Sequence, residues 1–259
     1  MKGLILKDVM CLKYQLRVFV FVIIGVVFTS ILFVLSARYG NLAMAGAEML
    51  RTEQATDIDV KNLASVALVL FMLLPIATVG DMANVFEADG KAGFYRLAGA
   101  LPLPISKRLL ARFLAIYALF GIGTLLDVIL AFILSRLTDL IRFRDFLGII
   151  LSGASVMSIY SALVIFFCIL LGYDGQTYAQ VFSLLSMALA LILCNLNYFR
   201  SLIKSIMTDQ SDMFDMAVFW RPLDFIKEKS WILVLIAAAV SIVSYCISLK
   251  VAVRKRGVI

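Results

Sequence analysis

Six long apolar stretches, separated by short clusters of charged residues, dominate the hydrophobic pattern of this chain. A helix needs roughly 20 apolar residues to cross a hydrocarbon core of about 30 Å, and each stretch comes close to that length. The pattern predicts an all-α integral membrane protein, with one transmembrane domain over residues 1–259. The six predicted spans are residues 18–37, 62–80, 110–135, 147–172, 177–199 and 231–249.

The segment before the first span predicts a helix that lies in the membrane interface. Its apolar residues fall on one narrow helical stripe, flanked by lysine and arginine: Ile5, Val9, Leu12 and Leu16. Residues 1–17 are therefore predicted to form an amphipathic interfacial helix before the first span. The simpler alternative is a basic start that only sets the orientation of the chain.

Composition supports the membrane class and excludes several kinds of chemistry. The chain is 63% hydrophobic and 16% charged, with a mean hydropathy of +1.02. It contains no histidine, which rules out a Ser-His pair and the histidine motifs of membrane zinc proteases. The sequence also lacks a Walker A loop. We therefore predict no catalytic residue, no metal site and no cofactor in this chain.

The distribution of lysine and arginine predicts the orientation of the chain. Six spans place both termini on one side, where basic residues outnumber acidic ones; on the other side the two are balanced. The positive side faces the cytoplasm, so both termini are predicted to be cytoplasmic. Anionic lipid headgroups account for the net charge of +7, so the lipid bilayer is a predicted partner and nucleic acid is not.

Three polar residues are candidates for a substrate path. Asp127 is the one charged residue between Arg112 and Arg136, inside the third predicted span, and such residues usually face a cavity or a partner. The alternative is a protonated carboxyl that bonds to Thr124 or to a serine of the fourth span. Asn195 and Asn197, near the outer end of the fifth span, are polar enough to contact substrate, although capping at the interface also explains them.

Small residues on the fourth span predict close helix packing. Ala154, Ser158 and Ala162 recur at four-residue spacing, which lets helix backbones approach each other. The partner helix lies either within the bundle or in a second chain.

Residues 211–231 combine acidic residues with several aromatic and methionine side chains. A solvated loop has little use for so many aromatics. The segment therefore predicts a short amphipathic or re-entrant helix on the outer leaflet, before the sixth span.

The loop after the second span has the layout of a docking element. Acidic and basic residues, three aromatics and two prolines lie between two apolar spans. Pro102 and Pro104 end a helix and redirect the chain, while Phe94 and Tyr95 offer apolar anchors of the kind that interfaces use. An ordinary charged cytoplasmic loop is the alternative.

This layout resembles the permease subunit of type-2 ATP-binding-cassette exporters. The resemblance rests on the leader Met1–Asp8, on the loop from Asp89 to Pro102 and on the basic C-terminal tail. It is strongest to a branch of small bacterial permeases that includes phenol-soluble modulin peptide exporters and lantibiotic-immunity transporters. This chain has Phe94 where that branch often has tryptophan, and Gly90 where an acid is common.

The resemblance implies a coupling helix between spans two and three that docks on a separate cytoplasmic ATPase subunit. It further implies a second permease chain, a bacterial cytoplasmic membrane, an amphipathic peptide or hydrophobic substrate, and ATP and magnesium bound by the partner. The implied docking residues are Glu87, Asp89, Lys91, Phe94, Tyr95, Arg96, Leu97, Leu101 and Pro102. Two other functions fit the residues alone: a proton-coupled carrier that uses Asp127, and a membrane scaffold that transports nothing.

Overall fold

The described part of the protein is helical throughout. The structure, a computed structural model, describes residues 10, 13–38, 73–80, 104–137, 142–172, 175–194 and 216–254, and only the backbone within 216–229. No strand occurs in these ranges, which confirms the all-helical prediction for them. The helices are α1 (Lys13–Arg38), α2 (Leu74–Gly80), α3 (Ile105–Leu137), α4 (Phe143–Leu171), α5 (Gln176–Cys194) and α6 (Met216–Arg254).

Four helices in the described ranges are long and apolar enough to cross a membrane. These segments are Lys13–Ser36, Ile105–Leu137, Phe143–Leu171 and Ser230–Arg254. A shorter apolar segment, Thr177–Ala190, lies within α5. The protein is thus a multi-pass membrane protein. The full six-span topology stays a prediction, because the helices of spans two and five are described only in part.

Two helices extend beyond the spans expected from hydropathy. α1 begins at Lys13, so residues 13–17 of the predicted interfacial helix continue directly into the first span; residues 1–9 lie outside the described residues. α6 begins at Met216, where a separate short helix was expected. One uninterrupted helix avoids the unpaired backbone N–H and C=O groups that each additional helix end creates.

α4 lies at the centre of the bundle. It contacts α2, α3, α5 and α6, while α1 packs against α2 and α3. Aromatic pairs show that α3 runs antiparallel to both α4 and α6. The rings of Phe132 and Phe143 lie 5.6 Å apart at one end, and those of Phe113 and Tyr245 meet edge to face at 5.4 Å near the other.

Small residues allow α4 and α6 to pack closely. Ala162 of α4 and Ser248 of α6 are both fully buried, and Ser244 Oγ donates a 2.8 Å hydrogen bond to the carbonyl oxygen of Ala162. The predicted small-residue stripe therefore packs within the bundle at Ala162. We call Ala162, Ser244 and Ser248 the α4/α6 seam.

A glycine turn joins α4 to α5. Gly172 has a φ of 87°, a left-handed conformation that glycine adopts without a steric penalty. Its N–H donates to the Cys168 carbonyl at 2.9 Å, and the Gly175 N–H donates back to the Gly172 carbonyl at 3.3 Å. The chain thereby reverses direction, and α5 packs along α4, with the rings of Phe167 and Phe182 5.9 Å apart.

Candidate functional site

A groove of about 770 Å³ opens between α3, α4 and α6. Along α3 its lining extends from Leu110 to Val128, which corresponds to about 27 Å of helix. Along α6 it extends from Val234 to Tyr245, or about 17 Å. We call this cavity the α3/α4/α6 groove. Its other lining residues are Phe113, Tyr117, Phe120, Gly121, Thr124, Leu125, Leu151, Ala154, Ser155, Ser158, Ala237, Ala238, Ser241 and Ile242.

Small residues make the groove, and larger side chains border it. Ser155 and Ala237 are buried, while the exposed rim includes Leu125 and Ile242. At Gly121 a Cβ atom would meet nothing within 4 Å, so the backbone of α3 itself leaves open space there. The groove is therefore a property of residue size on three neighbouring helices.

A chain of hydroxyl groups connects the three helices at mid-length. Ser158 Oγ of α4 donates to Tyr117 Oη at 3.3 Å, and Tyr117 Oη of α3 donates to Ser241 Oγ of α6 at 2.5 Å. Ser241 Oγ in turn donates to the Ala237 carbonyl at 2.6 Å. We call Ser158, Tyr117 and Ser241 the hydroxyl chain. Each of these hydroxyls has a partner, so the chain links the helices and does not require a polar ligand.

The groove carries no charged side chain among its described lining residues. Its polar groups are six hydroxyls, from Tyr117, Thr124, Ser155, Ser158, Ser241 and Tyr245. Placing a charged group at this depth against an uncharged wall costs several kcal/mol. The groove therefore favours an uncharged, apolar occupant.

Asp127 lies outside the groove, on another face of α3. It is only 2% exposed and follows Gly123 by one helical turn. A Cβ at Gly123 would lie 3.6 Å from the Phe19 ring of α1 and 3.7 Å from Val79 of α2. Because residues four apart share a helix face, Asp127 points toward the α1/α2 side of the bundle.

The carboxyl group of Asp127 is not satisfied as the sequence suggested. Among the described residues, its buried Oδ2 atom has no hydrogen-bond partner. Thr124, the expected partner, lines the groove. Two buried serines of α4 bond within their own helix: Ser152 to the Gly148 carbonyl and Ser155 to the Leu151 carbonyl. Serine in an apolar helix commonly satisfies itself in this way through the preceding turn.

Comparison with known proteins decides the family. The model of a family described as ABC-2 family transporter protein matches residues 58–255, well over half of the chain. The chain belongs to the ABC-2 transporter family. No curated protein and no solved structure gives a significant match. The protein is thus an ABC-2 type permease, a membrane subunit of a family that carries no ATPase domain of its own.

Several predicted site residues of this permease lie outside the described residues. This holds for Asn195 and Asn197 and for the whole docking set, namely Glu87, Asp89, Lys91, Phe94, Tyr95, Arg96, Leu97, Leu101 and Pro102. Their roles stay predictions. What the structure brings together instead are the hydroxyl chain and the groove, which lie on a different face of α3 from the one that Phe19 and Val79 contact at Gly123.

Sequence reasoning missed Tyr117 and Ser241. One hydroxyl in an apolar span is common and carries little signal, because serine can bond to its own helix. A recognisable clue is that α3 and α6 each carry hydroxyls among apolar residues, since polar groups within a membrane favour partners on neighbouring helices. Which hydroxyls meet depends on the helix register, which only the packed permease defines.

Removing the central hydroxyl is expected to loosen the junction of α3, α4 and α6. Tyr117→Phe keeps the ring but leaves Ser158 Oγ without its acceptor, and we expect a loss of about 1 kcal/mol in stability, near the range for hydrogen bonds between membrane helices. Thermal unfolding of the purified permease in detergent measures the change. Tyr178→Phe is the control, because Tyr178 is 65% exposed. Equal stability of the two variants would contradict a structural role for the hydroxyl chain.

Proposed function

We propose that this permease is the membrane-spanning part of an ATP-driven exporter. In this proposal a separate ATP-binding-cassette subunit binds and hydrolyses ATP with magnesium, and two permease chains form the path across a bacterial cytoplasmic membrane. The observation that carries the proposal is the ABC-2 family match over residues 58–255. That range contains all of α2 to α6, together with the segment between α2 and α3.

The position of the 81–103 loop supports its proposed role in docking. The loop leads into α3 at Pro104, next to Lys107 and Arg108. On the basis of the lysine and arginine distribution, we place this end of α3 and both termini in the cytoplasm. A loop there is within reach of a soluble ATPase, and its aromatic residues supply apolar anchors for an interface.

The exposed apolar faces of α1 and α5 support pairing with a second permease chain. Phe21 and Phe28 of α1 and Leu185 and Leu189 of α5 are all exposed in the single chain. Such faces contact either lipid or another transmembrane helix. The substrate class that we propose, amphipathic peptides or other hydrophobic molecules, fits a path between largely apolar helices.

Truncating the proposed docking anchors is expected to uncouple the permease from its ATPase. Phe94→Ala combined with Arg96→Ala removes one aromatic and one charged anchor. Loss of an interface hot spot costs about 2 kcal/mol or more, or roughly 30-fold in affinity. The measurement is ATPase co-purification with the full-length permease, together with ATP-driven uptake of a fluorescent amphipathic peptide by inverted vesicles.

Arg136→Ala is the matched control for this experiment. Arg136 lies near the other end of α3, with its guanidinium carbon 5.4 Å from the centre of the Phe132 ring. Arg136→Ala should therefore leave the ATPase bound. Normal binding and uptake in the double variant would contradict docking through the loop. A wild-type permease that binds no ATPase under any condition would contradict the exporter itself.

A proton-coupled carrier is the second candidate, favoured by the buried Asp127 carboxyl, whose Oδ2 atom has no hydrogen-bond partner in the described part of the chain. Intramembrane carboxyl groups of this kind serve as proton relays in some transporters. A pH gradient without ATP should then drive uptake, and the Asp127 variants described below separate the two functions.

A further inference from the structure

The α3/α4/α6 groove lies within the membrane-spanning part of the protein, where the surrounding medium is hydrocarbon. Its lining residues belong to membrane-spanning segments, and rim residues such as Leu125 and Ile242 are more than half exposed. An apolar concavity of this size that opens to the bilayer is filled by whatever apolar chain lies next to it, because its largely apolar wall offers water few hydrogen-bonding groups. The default neighbour in a membrane is a lipid acyl chain.

The dimensions of the groove suit one extended chain better than a helix. A helix about 17 Å long and 10 Å wide occupies about 1,300 Å³, whereas the groove holds about 770 Å³. A peptide helix or a span of a second permease would therefore stay largely outside. An acyl chain is far narrower, and it runs along the bilayer normal, as the groove does.

Positive charge collects at one end of the same two helices. The bonds from Tyr117 to Ser241 and the contact of Phe113 with Tyr245 place the start of α3 beside the end of α6. Lys107, Lys250 and Arg254 lie there and are exposed. Lys107 is about 5 Å along α3 from the first groove residue, and Lys250 is about 8 Å along α6 from the last one. Residues 104–112 and 246–254 contain no acid.

We propose that the α3/α4/α6 groove is a binding site for an anionic phospholipid of the surrounding bilayer. One acyl chain fills the groove past the hydroxyl chain, and the phosphate headgroup meets the exposed cations Lys107 and Lys250 at this end. Basic clusters at the ends of transmembrane helices attract anionic headgroups in this way. The site holds whether or not the chain exports peptides, because it depends only on the bilayer and on this permease.

Photochemical labelling of the full-length permease in lipid nanodiscs tests the site. The probe is phosphatidylglycerol with a diazirine near the end of one acyl chain, present in a phosphatidylcholine bilayer, and mass spectrometry maps the adducts. We expect adducts concentrated on the groove-lining parts of α3 and α6. Labelling spread evenly over exposed α1, α5 and groove residues would overturn the proposal.

Two glycine variants provide a matched pair. A Cβ meets nothing within 4 Å at either Gly121 or Gly25, so a side chain can begin at both positions without a clash, and phenylalanine extends it into the open space. Gly121 lines the groove, while Gly25 lies on α1. Gly121→Phe should reduce groove adducts about tenfold, and Gly25→Phe should leave them unchanged. Unchanged groove labelling in Gly121→Phe overturns the proposal.

Neutralising the basic end tests the headgroup contact separately. Lys107→Gln and Lys250→Gln should each lower the preference for phosphatidylglycerol over an identical phosphatidylcholine probe by about fivefold. Added salt should weaken the preference in the wild type. Equal labelling by both probes in the wild type would contradict the anionic headgroup. If the fluorescent peptide displaces the probe, the groove binds substrate. If two permease chains that carry Ile242→Cys crosslink to each other at that position, a second copy occupies the groove. Either result overturns the lipid site.

Discussion

Asp127→Arg is expected to prevent the permease from accumulating in folded form, whereas Asp127→Asn should fold normally. Asp127 is 2% exposed and faces the side of the bundle where Phe19 and Val79 pack. A guanidinium keeps its charge in every environment, and an arginine at the centre of a span costs about 3 kcal/mol on insertion scales. Asparagine matches aspartate in size and carries no charge. Membrane yield and size-exclusion profiles in mild detergent measure the difference.

The asparagine variant also separates the two proposed functions. For an ATP-driven exporter, Asp127→Asn should keep ATP-dependent peptide uptake close to the wild-type rate, because the Oδ2 atom makes no hydrogen bond with a described residue. A carrier that moves protons through Asp127 would lose uptake driven by a pH gradient, since an amide does not take up or release a proton. Loss of gradient-driven uptake in this folded variant would favour the carrier over the exporter.

Ser244→Leu is expected to open the α4/α6 seam and to cost several kcal/mol. The substitution removes the 2.8 Å hydrogen bond to the Ala162 carbonyl. The larger leucine side chain would also have to fit between α4 and α6, where Ala162 and Ser248 are fully buried. Overpacking alone costs about 1–3 kcal/mol, and a hydrogen bond between membrane helices adds about 0.6 kcal/mol. Thermal unfolding in detergent reports the loss, and the thiol of Cys168, buried in α4, should become reactive at lower temperature.

Val243→Leu is the control for the seam, because the neighbouring Val243 is 55% exposed and a similar increase in size there meets lipid. Ser244→Ala should fall between the two, since it loses the bond without adding volume. If Ser244→Leu unfolds at the temperature of the control, the close approach of α4 and α6 at this position is wrong.

The sequence predicted the helices better than it predicted their ends. Runs of apolar residues identify α1, α3, α4 and the membrane part of α6, because the cost of placing charge in hydrocarbon is large and local. The ends of the helices were harder to predict. The sequence predicted a separate amphipathic helix before the sixth span. The backbone is instead helical without a break from Met216 to Arg254. Hydropathy alone does not predict that one helix continues through both segments.

The candidate site residues were likewise only partly predictable from the sequence. Asp127 stood out in the sequence because a carboxyl group in a span is rare, but its buried Oδ2 atom has no hydrogen-bond partner among the described residues. Tyr117 and Ser241 are separated by more than a hundred residues, so nothing local marks their 2.5 Å contact. The groove is harder still to predict, because it depends on the combined small size of Gly121, Ala154 and Ala238 across three helices.

The sequence by itself determined that this protein is a membrane-embedded helical chain without a histidine-based site or an ATP-binding loop, and its pattern already resembled the permease family that the match over residues 58–255 establishes. Hydropathy and composition suffice to identify a membrane-embedded helical chain, because the bilayer acts on each segment separately. Tertiary structure alone decided that Asp127 turns away from the groove, that Ser244 bonds to α4, and that three helices leave the open, apolar α3/α4/α6 groove. Those features depend on helix register and rotation, which arise only when the helices pack against one another.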